Sequence, residues 1–378
     1  MLGTFSRICP QLPTPVINWE QVESHLPLSD LMRQCPQHPI HHAEGDVWTH
    51  TKMVCEALIA SDAWRTLTPA ARDELFLAAL LHDCGKPART RTDEHGHIIS
   101  PGHAAEGARI ARLLLWEAGA ELESRERIVG LIKDHGRPLF ALTRPDPIRS
   151  IIESSCRVSC DQLAMLARAD AIGRVCNDQA DLLDRIDLYQ TLLAEVGIST
   201  GPFPFANDRS RAEYFRTPGR DPSYAAFDDT WGEVVIMSGL PASGKSTFIQ
   251  QRLPGLPVVG LDAIREALEV EPGESQDQVV RAAKEAAKEL LRSKRSFVWD
   301  ATNLSGDVRS AAVGLCVAYG ARIRIEYIEA PAAVLRARNA KRERPVPVDA
   351  INRMLRRWEC PDATEAEVVR WTVTHARD

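Results

Sequence analysis

Two groups of residues in this chain have the types and spacing to do chemistry. In the C-terminal half, residues 239–247 read GLPASGKST, between the apolar run EVVIMS and a helical pattern opening at Lys245. Gly239 and Gly244 let the backbone turn so that its N–H groups, Ser243 within the turn among them, face phosphate oxygens. Lys245 reaches the β- and γ-phosphates, and Ser246, followed by Thr247, can hold Mg²⁺. The loop is expected to bind ATP or another nucleoside triphosphate. Asp262 follows the run PVVGL, where an open α/β sheet binds its acceptor. It can take the proton of an attacking hydroxyl, or it can cap the next helix. Arg265 lies one turn on, on the same side. Asp300 ends a third apolar run; it either positions Mg²⁺ through water or opens a turn. Residues 336–357 hold eight basic residues against two acidic ones, a local net charge of +6. Arg338 and Arg342 are four apart and should share a helix face, and RPVP at 344–347 then breaks the helix. That pattern suits a lid placing cations over a transferring phosphate, or a solvated basic helix.

The second group lies in the N-terminal half, in the order His50, His82–Asp83, His103, His135, Asp170. His82–Asp83 ends ELFLAALLHD, a segment apolar nearly all round and so expected to be buried. A buried His–Asp pair must be satisfied, and a metal ion does so. Asp170 interrupts another apolar helix, LAMLARADAIGR, and His50 lies in an amphipathic one. His103 and His135 sit at Gly-flanked helix ends, where they either join the metal ligands or bind phosphate. Imidazole with carboxylate suits Mn, Co, Ni, Fe or Zn, not calcium. His95, His97 and the HPIHH of 38–42 read as loop, without an assigned role.

The elements that must position these groups change character near residue 200. Before it, helical spacing recurs over 47–64, 69–82, 103–118, 124–135, 159–172 and 178–196, with no strand pattern. Residues 201–231 are rich in Gly, Pro, Asp and Ser, with aromatics and no period, and read as a linker that packs on a neighbour. From 232 to 378 short β-branched runs alternate with helices, which predicts a parallel sheet covered on both faces. The fold class is thus multidomain: an all-α module over 1–200, the linker, and an α/β module over 232–378.

With 378 residues the chain is long enough for two or three domains, and 44% hydrophobic with 26% charged residues excludes a wholly disordered chain. The net charge of −6 confines any nucleic-acid binding to a local patch. No apolar run approaches the ~18–20 residues of a membrane span. The first residues lack a signal-peptide core, and nine scattered Cys without a CxxC pair read as reduced thiols. A cytoplasmic location without membrane contact is the expectation.

GLPASGKST, Leu261–Asp262 with Arg265, DATN at 300–303 and RNAKRERPVP at 338–347 resemble the phage-type polynucleotide 5′-kinases. That resemblance implies Mg²⁺-dependent transfer from ATP to a 5′-hydroxyl end. Lys245 and Ser246 would take the phosphates and Mg²⁺, Asp262 would be the general base, Arg265 would contact the acceptor phosphate, and Arg338 and Arg342 would be lid arginines. EGDVWTHTKMV, ALLHDCGKP, SPGHAAEGA and ARADAIGR resemble HD-domain phosphohydrolases, especially the HD modules of bacterial tRNA nucleotidyltransferases. This implies His50, His82, Asp83 and Asp170 as metal ligands, His103 and His135 at a second metal, and Lys86 near the phosphate, with attack by metal-activated water. Together the modules resemble bacterial bifunctional end-healing enzymes. Such an enzyme removes 2′,3′-cyclic, 2′- or 3′-phosphate and phosphorylates the 5′-hydroxyl of RNA or DNA ends. A nucleic-acid ligase is then an implied partner, and a homodimer is allowed. The alternative is a nucleotide phosphohydrolase fused to a small-molecule, nucleoside-type kinase.

Overall fold

The computed structural model describes residues 2–270 and 275–375. The chain divides into two compact units, Met1–Phe203 and Pro204–Asp378. Among the described residues no helix is long and apolar enough to cross a membrane.

The first unit is a helical assembly around Pro69–Leu81. Leu75 through Leu81 are all fully buried, so every face of this segment meets protein. Thr68 caps its N-terminus by accepting from Ala71 N–H, with Pro69 in the first turn. Helices Val47–Ala60, Leu122–Asp134 and Cys160–Ile172 pack on it, and His103–Glu117 packs on Leu122–Asp134. The expected helix over 47–64 is two: Ser61 ends one at Ala60 and caps the next, Asp62–Arg65, through Trp64 N–H. Helix Pro147–Ser155, unforeseen, is capped by Asp146. A two-residue hairpin, β1 (Arg91–Thr92) with β2 (Ile98–Ile99), interrupts the helices. It is too short to show a period of two in sequence.

The second unit holds a parallel sheet of β3 (Glu233–Ser238), β4 (Val258–Gly260), β5 (Phe297–Asp300), β6 (Arg322–Glu329) and β7 (Val368–Val373), in spatial order β4-β5-β3-β6-β7. On one face Val234 and Ile236 pack against Ala283, Ala287 and Leu291 of helix Asp277–Arg292 and Ala312, Val313 and Cys316 of helix Gly306–Val317. On the other, Val235 and Met237 meet Ile249 and Leu253 of helix Lys245–Arg252. A central strand covered on both faces reads as a continuous apolar run, which is why β3 is visible in sequence. Edge strand β7, with Arg370 and Thr372 in its run, is not.

Residues 204–231, read as a linker, belong to the second unit and carry helix Asp208–Arg216. Asn207 caps it by accepting from Ser210 N–H at 2.7 Å. Its anchor is Glu367, whose carboxylate is fully buried. That carboxylate accepts from Arg209 at 2.9 Å, from both terminal nitrogens of Arg216 at 2.6 and 2.9 Å, and from Ile323 N–H at 3.1 Å. Arg211 donates to Glu367 O at 2.7 Å. Burial opposes the charge on Glu367, but the guanidinium of Arg216 outweighs it and lowers the pKa. The arginines sit in a segment with no apolar period, so periodicity could not reveal the helix. Removing one partner of such a network strands the others: Glu367→Ala should cost about 3–5 kcal/mol. Thermal unfolding of the full chain should show the second unit melting earlier, with the first unit's transition unmoved.

Candidate functional sites

In the first unit the six expected residues converge. His50 projects from Val47–Ala60 and Asp170 from Cys160–Ile172. His82 and His135 stand at the C-caps of Pro69–Leu81 and Leu122–Asp134, and His103 opens His103–Glu117. Three imidazoles are fixed in the same way. Nδ1 of His82, His103 and His135 lies 2.8 Å from the carbonyl oxygen three residues back, Ala79, Ser100 and Ile132. If Nδ1–H donates there, each Nε2 carries a lone pair. All three lone pairs then face Asp83. The distances are 3.2 Å from His82 Nε2 to Asp83 Oδ2, and 3.4 and 4.0 Å from His103 and His135 Nε2 to Oδ1. His50 Nε2 lies 3.8 Å from Asp83 Oδ2 and 3.0 Å from Asp170 Oδ1. His103 and His135 approach to 3.4 Å through their Nε2 atoms.

Acceptors facing acceptors in a buried space require cations. Lys86 supplies one, donating to Asp83 Oδ2 at 2.7 Å and to Gln37 Oε1 at 2.6 Å. Arg174 supplies another, gripping both oxygens of Asp170 at 3.1 and 2.5 Å. Burial opposes the charge on Asp83, but while no ion is bound, positive charge on His82, in place of the lone pair, and on Lys86 holds its pKa well below the carboxylate range. His135 is driven down to about 3, by burial first and His82 second. His82 Nε2 and Asp83 Oδ1 remain buried without a hydrogen-bond partner. His50–His82–Asp83 and Asp83–His103–His135 each bring three ligand atoms within 4.8 Å of one another. The donor set therefore fits one or two divalent transition ions.

Two residues here were missed in sequence. Arg174 is four residues after Asp170 and could have been seen as its helical partner. Glu44 had no signal beyond its place in EGD. Its buried Oε1 lies 2.8 Å from Nδ1 of both His42 and His50, and Oε2 accepts from Val175 N–H at 2.9 Å. A carboxylate behind a ligand imidazole sets its orientation and basicity. Glu44→Ala should weaken metal retention about 10–100-fold, and Glu44→Gln less, checked by chelator competition and elemental analysis.

In the second unit the phosphate loop closes between β3 and helix Lys245–Arg252. Gly239 has φ +144°, and a Cβ there would sit 2.2 Å from Ile328 O, so only glycine fits. Gly244 (φ +105°) and Ala242 (φ +64°) complete the turn. Lys245 Nζ donates to Gly239 O at 2.8 Å and Leu240 O at 3.1 Å. DATN braces the loop from below: Thr302 O accepts from Gly239 N–H at 2.9 Å, and Asn303 Nδ2 donates to Met237 O at 2.7 Å. Asp300 ends β5 and faces Lys245; burial raises its pKa.

Gly244, Lys245, Ser246, Thr247, Asp262 and Arg265 line one cavity of about 1790 Å³, with Arg338 and Arg342. Gly239 and buried Ser243 lie behind its wall. Asp262 is in the first turn of helix Leu261–Ala267, which Gly260 caps without a side-chain bond. Its carboxylate is 90% exposed and paired with Arg265. The capping role is thus not what holds it. Arg265 also donates to Gln276 Oε1 at 2.8 Å.

One expectation is corrected. Arg338 and Arg342 do not share a helix, because Ala332–Ala340 ends before Arg342. Asn339 turns the chain there, donating to Val346 O at 2.9 Å and accepting from Val346 N–H at 3.1 Å. Arg338 instead reaches Thr374, just past β7. Thr374 Oγ1 accepts from Arg338 at 2.7 Å and donates to Ser243 O at 2.7 Å, tying Arg338 to the phosphate loop. No sequence motif marked Thr374.

Two family models match the chain. The HD domain matches residues 47–175 and the AAA domain residues 234–361. The chain carries an HD domain followed by a P-loop kinase-like domain. It is 38% identical over 112 residues to the CC-adding tRNA nucleotidyltransferase of Thermus thermophilus, covering 29% of this chain and 24% of that protein. It is 28% identical over 137 residues to the L-seryl-tRNA(Sec) kinase of Methanococcus maripaludis, covering 34% of this chain and 53% of that protein. The chain thus spans a quarter to about half of the length of these relatives. A sugar kinase crystal structure from a Janibacter species aligns at 20% identity and TM-score 0.30, over 39% of this chain and 86% of that one.

Enclosure in the P-loop pulls the Lys245 ammonium down to about 8, burial outweighing Asp300 and Asp262. A bound triphosphate favours the protonated form, so binding above that pH must take up a proton. ATP affinity should fall about tenfold between pH 7 and pH 9, measured by calorimetry in buffers of differing ionisation enthalpy.

Proposed function

We propose that this chain repairs nucleic-acid ends, removing 2′,3′-cyclic, 2′- or 3′-phosphate at its HD centre and phosphorylating a 5′-hydroxyl at its P-loop. The carrying observation is the cavity beside the P-loop. Its volume of about 1790 Å³ exceeds the ~300–1,000 Å³ of a pocket for one small molecule, and Arg344, Arg353 and Arg357 join the cations already named. Such a space suits a triphosphate together with a polyanionic acceptor. Two relatives are named for tRNA, one of them a kinase, which favours an acceptor that is RNA.

In the kinase half, Lys245 holds the transferring phosphate and Ser246 offers its hydroxyl to Mg²⁺, which neutralises phosphate charge when bound. Asp262 takes the proton of the 5′-hydroxyl as that oxygen bonds to phosphorus and the bond to the departing nucleoside diphosphate breaks. Its high exposure gives it the solvent-side access an incoming chain end needs. Arg265 steers the acceptor phosphate, and Arg338 and Arg342 balance the charge of the transferring group. In the HD half, His50, His82, Asp83 and Asp170 would hold one ion, and His103 and His135 a second. A divalent ion there supplies Lewis acidity and a water of lowered pKa. Lys86 and Arg174 stand beside the carboxylates as donors for a phosphate ester. A nucleic-acid ligase is the reaction that would consume the product.

The two activities should separate by mutation. An oligonucleotide with a 5′-hydroxyl and a 2′,3′-cyclic phosphate, incubated with labelled ATP, reports on both ends. Asp83→Ala should abolish phosphate removal and leave 5′ labelling intact. Lys245→Ala should lower labelling on the order of 10²-fold and spare the other end. Preferential labelling of a free nucleoside would instead establish the small-molecule kinase. Phosphate removal that survives Asp83→Ala would end the bifunctional reading.

A further inference from the structure

Six of the chain's eleven histidines take no part in the sites above, and four of them, His38, His41, His95 and His97, lie close together. They come from two segments that the sequence reads as loops. The first is a turn closed by His41 and His42 N–H donating to His38 O at 3.1 and 2.8 Å. The second is the tip of the β1–β2 hairpin. There the Asp93 carboxylate accepts from His95 and His97 N–H at 2.9 and 2.8 Å, and Asp93 N–H donates to His97 O at 2.9 Å. The fold stacks the two. Ring centroids are 4.9 Å apart for His38–His41 and 5.4 Å for His38–His97; His95 is more distant, 6.2 Å from His97.

These spacings have a coordination meaning. An imidazole nitrogen binds zinc at ~2.0–2.1 Å, which puts the ring centroid about 3.2 Å from the ion, and a tetrahedral angle then separates two centroids by about 5 Å. The HD centre itself shows the same spacing, with His50–His82 at 5.4 Å and His82–His135 and His103–His135 at 5.3 Å. Carboxylates also stand behind two of the peripheral rings. His97 Nδ1 lies 3.6 Å from Asp93 Oδ2, and His41 Nδ1 lies 4.0 Å from Asp178 Oδ2. These carboxylates are too distant for a hydrogen bond and act by charge alone, favouring the proton on Nδ1 and leaving Nε2 to ligate. His38 differs: its Nδ1 accepts a long 3.3 Å hydrogen bond from Ile40 N–H. That lone pair is available to an ion once the weak bond is released.

We propose that His38, His41 and His97 form a peripheral site for one borderline divalent ion, Zn²⁺, Ni²⁺ or Cu²⁺. Mg²⁺ and Ca²⁺, which take oxygen ligands, are excluded. The three ligands are not preassembled and must be brought together by side-chain rotation, which is open to His41 and His97 because they are exposed and to His38 because it is only half-buried. The site is separate from the HD centre but joined to it through the backbone. Gln37, on one flank of the turn, accepts from Lys86, and His42, on the other, shares Glu44 with His50. The proposal does not rest on the end-repair reading, because it concerns binding alone.

The test is a Zn²⁺ titration of the full chain, stripped with chelator and read against a chromophoric chelator, beside the double variant His38→Gln/His97→Gln. The wild type should bind one equivalent per chain more than the double variant. Exposed His97 and half-buried His38, neither in the core, should leave the melting temperature nearly unchanged on conversion to Gln, and His41→Gln, on the same turn, should weaken that one equivalent tenfold or more. Ions held at the HD centre count equally in every protein compared, so an error about that centre would not alter the difference. Equal stoichiometry and affinity in wild type and double variant would overturn the proposal, as would loss of the equivalent in neither single nor double variant.

Discussion

The first unit is organised by one demand: a carboxylate with 2% exposure, Asp83, has to keep its charge inside an apolar helical core. Lone burial of such a group costs several kcal/mol even after relaxation. The chain meets the demand by aiming helix ends at it. His82 and His135 occupy C-caps, His103 opens a helix, and each ring is held by a carbonyl three residues back. Gly85 lets these ends meet, because a Cβ there would lie 2.2 Å from His103 O. The fully apolar Leu75–Leu81 segment is what creates that demand, since it excludes water from the carboxylate's surroundings.

The second unit meets the opposite problem. Its loop collects N–H groups, an ammonium and several guanidiniums around a space that anions would fill. Backbone geometry does most of the holding here. Gly239 admits Ile328 O, DATN supports the turn from β5, and Thr374 links Ser243 O to Arg338. Supports from β5, β6 and the end of β7 therefore reach a loop that is local in sequence. Shifting any one of those strands would move the phosphate site.

Sequence made the local parts of this arrangement legible and left the long-range parts dark. β3 and the Pro69–Leu81 helix were visible because burial on all sides imposes an unbroken apolar run. The phosphate loop was visible because its turn demands glycine at fixed positions. The order His50, His82–Asp83, His103, His135, Asp170 was visible because each polar residue interrupts or ends a helical pattern. Glu44 was not visible, since it sits in a turn before the His50 helix, outside any helical period, and its other partner, Val175 N–H, comes from across the fold. Thr374 lies more than a hundred residues from the loop it braces. Helix Asp208–Arg216 is held by arginines on a single distant glutamate, which leaves no hydrophobic period to detect. The helix carrying Arg338 was overextended because Asn339 ends it through its own side chain, a local act that charge spacing does not record.

The two units present inverted chemistry. Around Asp83 and Asp170 the chain presents acceptors, four imidazoles and two carboxylates, checked by Lys86 and Arg174. That set is incomplete without added positive charge, and it becomes electrophilic toward a phosphate ester only when that charge arrives. Around Lys245 the chain presents donors, and the missing charge is negative and comes with the substrate. Neither site has the charge balance to do the other's work. An acceptor-lined pocket would repel a triphosphate, and a guanidinium-lined one would hold no transition ion. On the function proposed above, removing one phosphate and adding another would call for two separately built sites, and the helical unit and the sheet unit do divide acceptors and donors in that way.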